Sequence, residues 1–339
     1  MTEPRTVLGS LARITDFDRH PPDVEPRPRA SWERGDYVCV EMLPGSIDSY
    51  LVEGVDGADI EIHPGDRLIG ALGDRAATLE AVGRWDAVGD DLRMQTLTAA
   101  GVLGVCTSAS ITLSRPLADV AYVGHAARDG RALGMKDFVT PAPAREITAP
   151  VILIIGTSMN SGKTVAAVAM IRELAAMGKR VVGAKVTGVG RYRDTLAMRN
   201  AGAHAIVDFV DAGLPSSLVP AGEYEASLRL ICAKIAAHEP DIVVIEAGAS
   251  PLEPYQGDIA MRVLLPGVSL TVLCASDPYA VWGLMHAFNL RPDVVTGPCT
   301  STEAGVALID RMVSVPGLNM FNERNAPKVA AFLREHLDL

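Results

Sequence analysis

Apolar and polar positions follow two different rhythms along this chain, and the change falls near residue 150. Beyond it, apolar runs recur that are too continuous to be half-exposed: residues 151–156 (VILIIG), 180–186 (RVVGAKV), 241–248 (DIVVIEAG) and 269–276 (SLTVLCAS). Strands buried on both faces belong to a parallel sheet covered by helices. A helical stretch is predicted from Val165 to Ala176. These features define an α/β domain over residues 150–339, with a mostly parallel sheet flanked by helices.

Before residue 150 the apolar runs are shorter and are broken by Gly, Pro and Asp. Residues 36–43, 49–55, 58–62 and 63–73 read as strands and turns of a smaller, β-rich α/β domain spanning 32–145. The small apolar residues of 94–113 and 118–127 are expected to close it as buried βα elements. Residues 19–31 (RHPPDVEPRPRAS) are dense in proline and charge, which disfavours a helix or a ladder partner, so 1–31 is expected to be a flexible N-terminal arm. The three prolines of 140–150 mark the boundary between the two domains.

Two domains also suit a chain of 339 residues. The formal net charge of −10 argues against a nucleic-acid partner, because that contact needs a broad face of clustered Lys and Arg. No run of about 18 apolar residues and no signal-peptide core is present, so no membrane partner and a cytoplasmic location are expected. The five cysteines lack CxxC spacing and fall largely in apolar runs, which fits buried free thiols in a reducing compartment.

The first strand of the second domain ends in Gly156, Thr157, Ser158, Met159, Asn160, Ser161, Gly162, Lys163 and Thr164, and Val165 follows in the predicted helix. A tight glycine-containing loop at a helix N-terminus offers converging N–H groups and the positive end of the helix dipole to phosphate. Lys163 supplies positive charge for the β- and γ-phosphates, and the Thr164 hydroxyl is a Mg²⁺ ligand. Compared with the strict eight-residue pattern, the first glycine is displaced from position 157 to Gly156.

That displaced glycine makes the loop resemble the phosphate loop of dethiobiotin synthetase and its relatives. Three further segments are similar in order and spacing. They are Ala184-Lys185-Val186-Thr187-Gly188, Arg191-Tyr192-Arg193-Asp194-Thr195-Leu196-Ala197-Met198, and Val243-Val244-Ile245-Glu246-Ala247-Gly248-Ala249. The resemblance implies that ATP and Mg²⁺ are the cofactors, and that Lys163 and Lys185 are catalytic. It implies that Thr164, Asp194 and Glu246 hold the metal, that Lys185, Thr187, Gly188, Ala247 and Gly248 meet the substrate, and that the protein is a homodimer. The loop departs from that family at Ser158, Met159 and Asn160, and the first 145 residues have no counterpart there. Val295–Cys299 is a candidate adenine-reading segment. The joining of a first domain to such a P-loop half is similar to a bacterial family linked to D-amino-acid metabolism.

The activity this implies is an ATP-dependent ligase that phosphorylates a small carboxylate or carbamate for attack by an amine. The alternatives are a nucleotide-dependent switch, a metallocentre-assembly chaperone and a regulatory nucleotide binder. No Asn-Lys-x-Asp guanine-reading motif and no Cys/His cluster accompanies the loop. In the first domain His63, Asp66, Asp74, Arg75 and His125 are expected to serve turns or the surface.

Overall fold

The structure is a computed structural model that describes residues 4–45, 47–111, 113 and 116–337. By contact the chain forms two compact units: Met1–Pro141 with Val189–Arg193 and Phe209–Leu218, and Ala142–Gly188 with Asp194–Asp208 and Val219–Leu339. The division is therefore not the single cut near residue 145 that composition suggests, because two segments from the second half pack with the first.

In the N-terminal unit, strand Arg67–Leu72 pairs with Tyr37–Met42, which pairs with Asp119–Arg128, then Arg93–Thr96, then Val102–Ala109. Val102–Ala109 pairs back onto Arg67–Leu72, so these strands close a ring. Val38, Val40, Met42, Leu68, Leu72, Met94, Leu103 and Val120 form its core. The expected strands are present, but the stretch 94–127 folds as strands, and among the described residues no α-helix precedes Lys163.

The flexible arm is also corrected. Thr6–Leu8 pairs in parallel with Arg67–Ile69, and Asp23–Glu25 pairs antiparallel with His125–Ala127. Prolines flank the Asp23–Glu25 strand without entering it, and such a short edge strand asks little of the ladder. His63 and Asp66 do make a turn, with the Asp66 carboxylate accepting the His63 N–H at 2.9 Å. His125, by contrast, is buried, and its ring bridges the Tyr122 hydroxyl at 2.5 Å and the Asp36 carboxylate at 3.2 Å. Asp74 and Arg75 are buried too, paired with Arg34 and Glu80.

The C-terminal unit holds strands β1 (Val151–Gly156), β2 (Val181–Thr187), β3 (Ala205–Asp208), β4 (Ile242–Ala247), β5 (Leu270–Cys274) and β6 (Val294–Thr296). Its helices are α1 (Lys163–Ala176), α2 (Tyr192–Asn200), α3 (Ala221–Ala237), α4 (Gly257–Leu264), α5 (Pro278–Phe288), α6 (Glu303–Val313) and α7 (Ala326–His336). Tyr192 and Arg193, at the start of α2, pack with the N-terminal unit. Among the described residues the strands form one parallel sheet in the order β3-β2-β4-β1-β5-β6.

Every residue of β1 and β4 is buried, which is what their unbroken apolar runs require. Ile152 and Ile154 of β1, Met170 and Leu174 of α1, and Leu333 of α7 share one core. The chain winds one way from β1 to β2 and the other way to β5 and β6. The direction reverses between β4 and β1, and open α/β sheets bind ligands at the carboxyl ends of the strands beside such a reversal. β3 and β6, of four and three residues, are too short to show a period in sequence.

Candidate functional site

The loop from Gly156 to Gly162 joins β1 to α1 and is shaped by close contacts that exclude larger residues. A Cβ on Gly156 would lie 2.4 Å from Ser161 Oγ and 2.7 Å from Lys163 Cδ. Gly162 has φ of +94°, and a Cβ there would lie 2.1 Å from Phe321 Cζ. Asn160 is also left-handed, at φ +61°. Thr157 donates its N–H to the Cys274 carbonyl at 2.9 Å, which ties the loop to β5. Among the described residues, the amides of Ser158–Thr164 have no protein acceptor, and the buried Thr157 hydroxyl has no partner. Unsatisfied donors gathered at the start of α1 are the feature of an anion cradle.

Lys163 opens α1 and is 4% exposed, with Nζ donating to the Ser158 carbonyl at 2.8 Å and lying 3.4 Å from Ser161 Oγ. Burial pushes its ammonium below the usual lysine range, and Glu246 only partly restores it. The next residue, Thr164, donates its hydroxyl to Glu246 Oε2 at 3.0 Å. Met159 and Asn160 form the tip of the loop, and Val165 is exposed.

Across the strand ends, register places a row of charges side by side. Asp208 on β3 lies opposite Lys185 on β2, and Lys185 lies opposite Glu246 on β4. All three are buried. Lys185 also forms an ion pair with Asp194 in the first turn of α2. Burial works to lower the Lys185 pKa, but Asp194, Glu246 and Asp208 outweigh it and hold the group above its usual range. Burial raises the Glu246 carboxyl, Asp194 adds to the rise, and Lys185 and Lys163 oppose it.

The remaining candidate positions gather beside Lys185. Thr187 lies opposite Ala247 in the sheet, and its carbonyl accepts the Gly248 N–H at 3.1 Å. The Thr187 hydroxyl is buried and has no partner. A Cβ on Gly248 would lie 2.1 Å from the Thr187 carbonyl oxygen and 2.7 Å from Lys185 Cε, so only glycine fits there. Gly188, at φ +121°, would bring a Cβ to 3.4 Å from the same Lys185 carbon. The candidate adenine-reading segment reaches the phosphate loop, since a Cβ on Gly297 would lie 2.7 Å from the Ser161 carbonyl oxygen.

Sequence reasoning missed Asp208; Glu253 is buried as well, and its carboxylate accepts the Ser250 N–H at 2.8 Å. Asp208 ends the run Ala-Ile-Val-Asp as Glu246 ends Ile-Val-Val-Ile-Glu, and that shared signature was the available signal. The donors fit Mg²⁺, a hard cation that keeps several waters and takes few protein oxygens. Thr164 and Glu246 are already in contact, whereas Asp194 is held by Lys185. No group of three or more His, Cys, Asp or Glu among the described residues forms a protein cage for a metal.

A parallel sheet, a phosphate loop capping α1 and a buried lysine opening that helix define a P-loop NTPase domain. The protein is thus an α/β protein with a nucleotide-binding P-loop domain and a β-rich N-terminal region. Residues 138–289, under half of the chain, match the family described as a domain of unknown function, the DUF1611 C-terminal P-loop domain.

No protein of curated function matches the chain. Among solved structures, chloroplast FtsY from Physcomitrella patens is similar at 15% identity and a TM-score of 0.39, covering 57% of this chain and 67% of its own. FtsY from Mycoplasma mycoides is similar at 15% identity and a TM-score of 0.35, covering 52% and 61%. The signal recognition particle receptor FtsY from Elizabethkingia anophelis, in complex with GDP, is similar at 12% identity and 0.38, covering 59% and 67%. The chain thus spans about two thirds or less of the length of these structures. No helix among the described residues is long and apolar enough to cross a membrane.

Gly162→Ala tests the loop geometry. Forcing a side chain into a left-handed position costs about 1–3 kcal/mol, and the added methyl also meets Phe321. We expect ADP with Mg²⁺ to bind about 10- to 100-fold more weakly by isothermal titration, since each 1.4 kcal/mol is about tenfold. Unchanged affinity would mean that the loop does not bind phosphate in this conformation.

Proposed function

We propose that the protein is an ATP- and Mg²⁺-dependent enzyme that phosphorylates a small carboxylate or carbamate and lets an amine displace the phosphate. The observation that carries this reading is the second buried lysine. A nucleotide switch needs Lys163 and the loop amides. Lys185 and the orphan Thr187 hydroxyl, on one strand, supply a cation and a hydroxyl donor beyond those a switch uses, which supports a second anion beside the phosphate loop.

In this scheme the loop amides of residues 158–164 hold the triphosphate, and Lys163 neutralises charge developing on the β- and γ-phosphates. Thr164, Glu246 and Asp194 would hold Mg²⁺, which supplies charge compensation to the transferring phosphoryl group. Lys185 and Thr187 orient the carboxylate. A carboxylate oxygen bonds to the γ-phosphorus as the bond to ADP breaks, giving an acyl phosphate. The amine nitrogen then bonds to the acyl carbon, inorganic phosphate leaves, and the amine proton passes to solvent or phosphate. ATP is favoured as the nucleotide because the chain lacks an Asn-Lys-x-Asp guanine-reading motif.

The test is phosphate release from ATP with Mg²⁺ across a panel of small amino acids and diamines with bicarbonate, beside Lys163→Ala and Glu246→Ala. Stimulation by one compound, lost in both variants, supports a ligase. A second reading, a nucleotide-dependent switch, is favoured by one observation: residues 189–193 and 209–218, which follow β2 and β3 in the chain, belong to the N-terminal unit. Tight nucleotide binding without stimulated turnover would select the switch. A homodimer and a cytoplasmic setting accompany the ligase reading as further proposals.

A further inference from the structure

Glu53 ends the short strand Tyr50–Glu53 and is 2% exposed. A carboxylate that deeply buried normally faces a cation, because an unpaired buried charge is costly. Among the described residues Glu53 has no ion-pair partner, and three neutral donors serve it instead. These are Ser10 Oγ at 2.5 Å, the Tyr192 amide at 2.6 Å and the Arg193 amide at 3.0 Å. Tyr192 and Arg193 are the first two residues of α2, so the carboxylate sits on amides that the helix cannot satisfy, at its positive end.

The same turn is pinned by its side chains. The Arg13 guanidinium lies 4.6 Å from the centre of the Tyr192 ring, and Arg193 pairs with Asp59. Ser10, Arg13, Glu53, Asp59, Tyr192 and Arg193 all belong to the N-terminal unit. The next residue along the helix is Asp194, the carboxylate paired with Lys185.

We propose that Glu53 is a positioning residue for Asp194: by fixing the first two amides of α2 it fixes where the Asp194 carboxylate is presented. This rests on the reading of Asp194 as a metal-side group. A surface cap such as Ser or Asn would bind the helix end as well at lower desolvation cost. A buried full charge gives shorter, stiffer bonds and a single orientation of the turn. The loss expected on removing the charge is therefore a loss of placement as well as of stability.

The experiment uses the full chain with Glu53→Gln, Glu53→Ala, Asp194→Asn and the Glu53→Gln/Asp194→Asn pair. Three measurements are made on each: ADP affinity with and without Mg²⁺ by isothermal titration, amide hydrogen exchange over 193–198 without nucleotide, and a thermal melt. Glu53→Gln retains an acceptor of the same size and serves as the variant least prone to misfolding. We expect it to weaken ADP binding about fivefold to tenfold with Mg²⁺ and to leave metal-free binding unchanged, within the usual range of coupled groups. The effect should vanish in the Asp194→Asn background, and exchange over 193–198 should quicken. Additive losses in the double variant, or a lower Tm with unchanged Mg²⁺ dependence, would overturn the proposal. If the wild type binds no nucleotide, the proposed function fails by itself. The exchange result then decides separately, and unchanged exchange in Glu53→Gln refutes the role of Glu53.

Discussion

Lys163→Ala is expected to reduce nucleotide-dependent turnover by about 10²–10³-fold, the range found when one preorganised charge-stabilising group is removed from a phosphoryl or acyl site. ADP affinity should fall with it, because the loop loses its only lysine while its amides remain. Stability should move little. Lys163 is 4% exposed with only a carbonyl and a hydroxyl as direct partners, so the folded protein already bears the cost of burying that charge. Phosphate release, ADP titration and a thermal melt together check this. Affinity within about threefold of the wild type, on the tenfold-per-1.4 kcal/mol scale, would show that Lys163 does not face phosphate. Lys163→Arg should not rescue, because the larger planar guanidinium would have to fit where the compact, buried ammonium meets the Ser158 carbonyl and the Ser161 hydroxyl.

Asp194→Ala should instead show its largest effect on stability. It leaves Lys185, 7% exposed at its side chain, without its direct partner. Removing one member of a buried pair costs about 3–5 kcal/mol. The low end, about 3 kcal/mol, is expected because Glu246 and Asp208 still flank Lys185 and because Asp194 is 24% exposed. Urea unfolding of the nucleotide-free protein measures it. A second change, Lys185→Met, should recover most of that loss, since an apolar side chain replaces an orphaned cation, yet it should restore no turnover. A loss below about 1 kcal/mol would place the pair among exposed ion pairs of little worth. Recovery of turnover in the double variant would remove Lys185 from the proposed chemistry.

Much of the site was legible because its geometry is written in neighbouring residues. The phosphate loop needs glycine at 156 and 162, a lysine and a hydroxyl residue in fixed order, and all of these lie within nine positions of one another. The strands that hold it were visible because burial on both faces leaves unbroken apolar runs. Glu246 stood out as a single charge closing such a run. Asp208 closes a shorter run of the same kind and passed unnoticed, since three apolar residues do not announce a strand.

What sequence could not supply was pairing across distance. The strand order β3-β2-β4-β1-β5-β6 decides that Asp208, Lys185 and Glu246 stand abreast, although they are far apart in the chain. His125 is a buried residue rather than a turn residue because Asp36, 89 positions away, lies beside its ring. The first 31 residues read as an arm because proline and charge dominate them, yet the edges of sheet strands reached from elsewhere in the chain gave two of their segments partners. Glu53 offered no signal at all, for its amide partners lie 139 and 140 positions on. Local backbone demands and two-sided burial are properties of contiguous residues, so the sequence alone determined the nucleotide loop and its parallel sheet. Which charges share a low-dielectric neighbourhood depends on strand register and chain return, and only the tertiary structure decided that.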